Sequence, residues 1–226
     1  MRLYEYLQRI HVHKINFDYT PVCLATKCTT TLNNNMNKPY IEDKIFERTD
    51  FAENALIKAD YEHCIFVNCN LLNADLSDIN FSECKFNGCD ISLANISRTA
   101  LRNIKFKDCK LLGLHFENCN PFLFTVDFEN CILNLSSFYK LKLKKTKFKS
   151  SSLQEVDFAE TDLSSSLFDN CDLAGATFDN TVLERVDFRT SYNYSIDLEK
   201  NRIKKAKFAM AGIAGLLNKY DIEIEN

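Results

Sequence analysis

The sequence predicts an all-β solenoid built from stacked, four-sided coils of parallel strands. Three observations predict it. A large apolar residue returns at every fifth position along most of the 226-residue chain. The identity of that residue repeats every twentieth position, and the residue two places before it is usually small.

The five-residue period excludes both standard elements. On an α-helix five residues turn about 140° away from the starting face. On a flat strand five is odd, so successive members point to opposite faces. A chain that turns a corner once per five residues satisfies the pattern. The first block of large residues runs from Ile41 through Phe46, Phe51, Leu56, Tyr61 and Phe66 to Phe116. The second runs from Leu123 through Phe128, Leu133 and Phe138 to Phe208. Of 34 slots, 33 are large and apolar, and Asn193 is the exception.

Sorting these slots by twenty gives columns of one identity. Phe46, Phe66, Phe86 and Phe106 form one, and Phe128, Phe148, Phe168, Phe188 and Phe208 another. Leu133, Leu153 and Leu173 form a leucine column, as do Leu123, Leu143, Leu163 and Leu183. Four five-residue units therefore make one coil, and each coil stacks like on like at about 4.8 Å. The small slot is Ala, Cys, Ser, Thr or Val in 24 of 34 cases, and Asp or Asn often stands just before the large residue. One coil alone cannot fold. Four buried side chains contribute about 1.5–3 kcal/mol each, while ordering twenty backbones costs about 1–2 kcal/mol per residue. Contacts between coils must supply the difference.

These units, such as "ADL" (74–76), "CDL" (171–173) and "VDF" (186–188), resemble the pentapeptide repeat, A(D/N)LXX, over residues 39–208. The resemblance implies a right-handed, quadrilateral parallel β-helix.

The remaining segments follow in order. Residues 1–35 carry no repeat, and "TTTLNNNMN" (29–37) reads as a polar linker. The expected β-helix spans 36–208. Two extra residues within "ENCNPFL" (117–123) shift the register and are expected to kink the stack. A polar residue in a core slot at Asn193 predicts a local bulge. After Phe208, Ala209, Ile213, Leu216 and Leu217 have helical spacing and "DIEIE" alternates like a short strand. Residues 209–226 are thus a terminal cap, short and helical, over the last coil.

Ten cysteines are present, and seven (64, 69, 84, 89, 109, 131, 171) occupy the small slot. That placement reads as packing of a small, reduced, apolar side chain. "HVH" (11–13) lacks a third metal ligand, and His63 and His115 stand alone. No Gly-rich phosphate loop, GxSxG or paired catalytic signature occurs, so no catalytic residue, metal or cofactor is expected. With no run of 18 apolar residues and no signal-peptide pattern, the sequence reads as cytoplasmic, with no membrane partner.

The net charge of −3 conceals two bands. "KLKLKKTKFK" (140–149) carries six lysines and no acid, whereas residues 155–199 hold eleven acids against Arg185 and Arg189. The lysine band reads as a solvated surface or a contact for nucleic acid or an acidic partner, and the acidic band as a ligand for a basic surface. The tandem units, the mid-chain register break and the tail resemble quinolone-resistance proteins of the Qnr and MfpA type. That resemblance implies a non-enzymatic protein that binds DNA gyrase or topoisomerase IV by imitating duplex DNA. Direct nucleic-acid binding is then not expected. It makes Asp157, Glu160, Asp162, Asp169, Asp172, Asp179, Glu184 and Asp187 the candidate gyrase contacts. Charge reversal at Asp157, Asp162 and Asp172, all in outward slots, is expected to leave the fold intact. The resemblance also implies a homodimer joined through the tail, by Ile213, Leu216 and Leu217. The alternative is a generic interaction scaffold with another partner.

Overall fold

The structure, a computed structural model, describes residues 38–223. The expected 1–35 extension, the "HVH" histidines, Cys23 and Cys28 lie outside the described residues. All strand pairing is parallel. One side of the coil is a four-stranded sheet of β1 (Tyr40–Glu42), β3 (Asp60–Glu62), β5 (Asn80–Ser82) and β7 (Ala100–Arg102). The next side is a seven-stranded sheet. It contains β2 (Ile45–Glu47), β4 (Ile65–Val67), β6 (Lys85–Asn87), β8 (Ile104–Lys107), β9 (Val126–Glu129), β10 (Lys147–Lys149) and β11 (Leu167–Asp169). The other two sides are held by single parallel bridges such as Asp50↔Asn70↔Asp90↔Lys110 and Asp75↔Asn95.

The stacking follows the twenty-residue period. Phe46 pairs with Phe66, Phe66 with Phe86 and Phe86 with Phe106. At the break the offset becomes 22, and Phe106 pairs with Phe128. The two phenylalanine columns read from the sequence are therefore one. Nine rings, Phe46 to Phe208, stack face to face with centroids 4.6–5.5 Å apart. Phe116, Phe138, Phe158 and Phe178 form a second stack that meets the first edge-on. Each buried phenylalanine contributes about 1.5–3 kcal/mol from burial, and offset or edge-on pairing adds about 0.5–1.5 kcal/mol.

The corners explain the outward letters. Two residues after the large one, the backbone enters the left-handed region in nearly every unit, as at Asn73, Leu93, Leu135, Lys145 and Arg185, with φ between +55° and +62°. This is the third residue of a turn closed by N–H to C=O bonds such as Ala74 to Leu71 at 3.0 Å. Left-handed geometry costs a non-glycine residue roughly 1–2 kcal/mol, so coil stacking must offset it many times over. The small slot has a second task that the sequence reading missed. Its hydroxyl or thiol donates to a buried main-chain carbonyl of the preceding coil: Thr161 to Phe138 at 2.8 Å, Ser191 to Phe168 at 2.9 Å and Cys171 to Phe148 at 3.4 Å. Asn201 does the same to Phe178 at 2.9 Å. Size alone would have admitted alanine everywhere; the carbonyl favours Ser, Thr and Cys.

Two expected core positions are corrected. Leu123 is 62% exposed, and its neighbour Phe124 enters the interior, edge-on to Phe116 at 6.2 Å. The two extra residues fall between Asn120, still bridged at an offset of twenty, and Val126, bridged at 22. They give the corner enough slack to swing Leu123 outward without interrupting either ring stack. Asn193 likewise turns out at φ +59°, and Tyr194 fills the core instead.

Tyr194 then seats the cap. The cap is 3₁₀ helix, Met210–Leu216 and Asn218–Tyr220, and Asp221 to Glu223 add no strand. The Ile196 N–H donates to the Gly215 carbonyl at 2.9 Å. Lys219 bridges Asp197 at 2.8 Å and Glu199 at 2.7 Å. The approach is close enough that a Cβ on Gly212 would lie 1.9 Å from the Tyr194 hydroxyl. Leu216 is buried by this docking and Leu217 half-buried, whereas Ile213 is 37% exposed. Leu216 is therefore committed to packing within its own chain.

Phe148 lies in mid-column between Phe128 and Phe168. Phe148→Ala is expected to lower unfolding stability by about 3–5 kcal/mol in urea titrations.

Candidate interaction surface

The eight acidic candidates do not form one face. Asp169 and Asp187 lie on the seven-stranded side, the latter bridged to Leu167 and Lys207. Asp172 lies on the next side, bridged to Ser152 and Tyr192. Asp157 lies on the third, between Ser137 and Thr177, with Glu160 and Asp179 beside the same phenylalanine column. Asp162 is on the fourth, between Lys142 and Val182, together with Glu184. A coil of twenty residues wraps a linear acidic band around all four sides.

Four of them also hold the backbone. The carboxylate just before the large residue accepts the N–H two places on. Asp157 takes Ala159 at 2.8 Å, Asp162 takes Ser164 at 3.1 Å, and Asp172 and Asp187 take Ala174 and Arg189, both at 3.2 Å. This Asx contact orients each corner and accounts for the Asp/Asn preference of the slot. Charge reversal at Asp157, Asp162 or Asp172 would therefore also remove the acceptor of a corner N–H, because a lysine there supplies none.

Cations and amides of neighbouring coils cover much of the remaining negative charge. Arg202 meets Glu184 at 2.6 Å, Lys144 meets Asp162 at 3.2 Å, Lys140 meets Glu160 at 3.4 Å and Lys200 meets Asp179 at 3.8 Å. Arg189 contacts Asp187 at 2.8 Å, Thr190 donates to Asp169 at 2.9 Å, and Gln154 and Asn193 donate to Asp172. The Arg189 guanidinium holds the Asp187 carboxyl below its ordinary range. Burial pushes Asp162 and Asp172 upward, but their hydrogen-bond donors outweigh it and leave both below the ordinary value.

The eight described cysteines are buried and unpaired, Cys119 in the break included. Burial pushes the thiols of Cys84 and Cys119 up to about 12 and that of Cys171 to about 11, so they stay protonated. His115 contacts Glu117 at 2.9 Å, and His63 lies 3.6 Å from Glu83. Among the described residues, no three His, Cys, Asp or Glu side chains are placed to hold a metal. No helix there is long and apolar enough to cross a membrane.

The pentapeptide repeat region family matches residues 59–121 and 122–195, together more than half of the sequence, and the two matches abut at the register break. The chain belongs to the pentapeptide-repeat family. No curated protein sequence matches it. Among solved structures it is similar to QnrB1, described as a plasmid-mediated fluoroquinolone resistance protein, at 16% identity and TM-score 0.49, over 81% of this chain and 100% of that one. It is also similar to HetL, described as involved in heterocyst differentiation regulation in the cyanobacterium Nostoc, at 14% identity and TM-score 0.30, over 76% and 88% of the two chains. A third is Rfr23 from the cyanobacterium Cyanothece, at 13% identity and TM-score 0.22, over 77% and 86%.

The corner role is testable within this pentapeptide-repeat chain. Asp172→Ala leaves a main-chain N–H without its acceptor and is expected to cost about 1–2 kcal/mol in urea unfolding. Asp179→Ala, which removes only a 3.8 Å surface pair, is expected to stay within about 0.5 kcal/mol of the native chain.

Proposed function

We propose that this pentapeptide-repeat protein is a non-catalytic scaffold that binds another protein through its outward side chains. The observation that carries the reading is the filled interior. The stacked rings from Phe46 to Phe208 leave recognition to the three outward positions of each unit. Family membership supports it, since the repeat fixes inward letters and leaves outward ones free.

A narrower reading makes the partner a type II topoisomerase, with protection from quinolones. It draws on the sequence resemblance and on Asp157, Asp169 and Asp172, which have no cation within 4 Å among the described residues. The distribution of the acids over four sides favours the broader scaffold. Gyrase supercoiling with and without a fluoroquinolone separates the two. On the scaffold reading the chain neither inhibits nor protects; protection that weakens at raised salt establishes the narrower one.

Pairing of two chains through the cap is part of this proposal, with Ile213 and the largely exposed Met210 in place of Leu216. Ile213→Glu is expected to convert a sedimenting dimer to monomer. A native chain that sediments as monomer removes the pairing.

A further inference from the structure

On the seven-stranded side, the residues flanking each phenylalanine form two outward rows along the stacking direction. One row reads Lys85, Lys105, Asp127, Lys147 and the other Asn87, Lys107, Glu129, Lys149. With Phe106 and Phe128 they line a shallow depression of about 420 Å³. Five lysines stand against two carboxylates, and Lys107 alone of the five has a carboxylate within 4 Å among the described residues, Glu129 at 2.9 Å.

Much of the surface stacks opposite charges coil upon coil, as Lys144 over Asp162, Arg202 over Glu184 and Arg98 over Asp78, and Lys105 opposite Asp127 and Lys107 opposite Glu129 keep that order in the depression. Here Lys85 and Lys105 are direct strand partners, held about 4.8 Å apart by the ladder. Like charges set opposite each other oppose folding, so the coil stack does not account for this pair. The four strands β6, β8, β9 and β10 follow one another at about 4.8 Å, inside the roughly 8 Å over which physiological salt screens, so lysines on adjacent strands share a field. The sequence singled out 140–149 as the basic band, yet the ladder gathers only Lys147 and Lys149 of that band here and adds Lys85, Lys105 and Lys107 from earlier coils.

We propose that this depression docks a protein surface carrying carboxylates on both sides of one basic residue. The charge order selects that partner. Carboxylates opposite the lysines of β6, β8 and β10 meet their complement, and a basic residue between them faces Asp127 and Glu129 on β9. A nucleic-acid backbone offers only phosphates, and one lying along the rows is repelled where Asp127 and Glu129 interrupt them. The inference rests on the scaffold reading and names its side and its partner chemistry. It uses none of the acidic candidates except through the shared side of Asp169 and Asp187, so the gyrase assay and the following measurement can fail separately.

Fluorescence anisotropy of the full chain tests it. The probes are a labelled peptide with glutamates on both sides of a central arginine and a labelled DNA duplex of equal net charge. The native chain is expected to bind the peptide in a salt-sensitive manner and more tightly than the duplex. Lys105→Gln with Lys147→Gln, which removes the charge and keeps only part of each apolar stem, is expected to weaken peptide binding about tenfold. Lys204→Gln with Lys205→Gln, outside the depression, leaves it unchanged. Asp127→Asn with Glu129→Gln keeps an oxygen for the Lys147 N–H and shifts preference toward the duplex. The proposal is overturned by absent peptide binding, by equal or tighter duplex binding to the native chain, or by equal losses in the two lysine pairs. Matched urea midpoints establish that the variants are folded.

Discussion

The structure depends on one constraint: each backbone segment bonds to the segment one coil away, at a fixed offset of twenty residues or 22 across the break. A parallel ladder at constant offset leaves no freedom in register. A side chain that points inward in one coil points inward in the next and touches its own counterpart. The ring column follows from this, because phenylalanine stacks well on phenylalanine. So does the thiol and hydroxyl slot, since the same carbonyl recurs at the same place in every coil. The left-handed corner recurs for the same reason, and its strain is tolerated because every coil secures the one beneath it.

That constraint decides what the sequence could reveal. Interior columns were legible because each repeats its chemistry without regard to the surface. The failures fall where the offset is disturbed. Around Leu123 and Phe124 two adjacent large residues compete for one place, and a fixed five-step count selects the wrong one. At Asn193 the count again lands on a corner residue, and Tyr194 takes the core because the cap above it leaves room for a larger ring. The Asp before each large residue was visible as a preference, but its work was not. Spacing alone does not distinguish a surface charge from an acceptor for a corner N–H.

The charge bands of the sequence do not map onto single faces, for a geometric reason. A run of more than about five residues turns a corner, so neighbours in sequence face different ways. Residues twenty apart share a surface. The acidic stretch after Glu155 is consequently dispersed over four sides, where stacked cations and amide donors meet much of it. The lysines beneath Phe128 come from coils far apart in the chain and are collected by the ladder. Charge counted along such a chain describes a circumference, and charge counted by coil describes a face.

The two-residue excess between Asn120 and Val126 also shows how this molecule accommodates length. The added backbone is taken up at a corner, where Phe122 and Leu123 protrude, while the rings of Phe106 and Phe128 remain stacked at 5.4 Å. The corner behaves as an expansion joint. Insertions placed there alter the outer profile and leave the stacked interior continuous, whereas the same two residues placed at a ring would offset every later coil. New outward features can therefore arise in this architecture one corner at a time, without redesign of what they rest on.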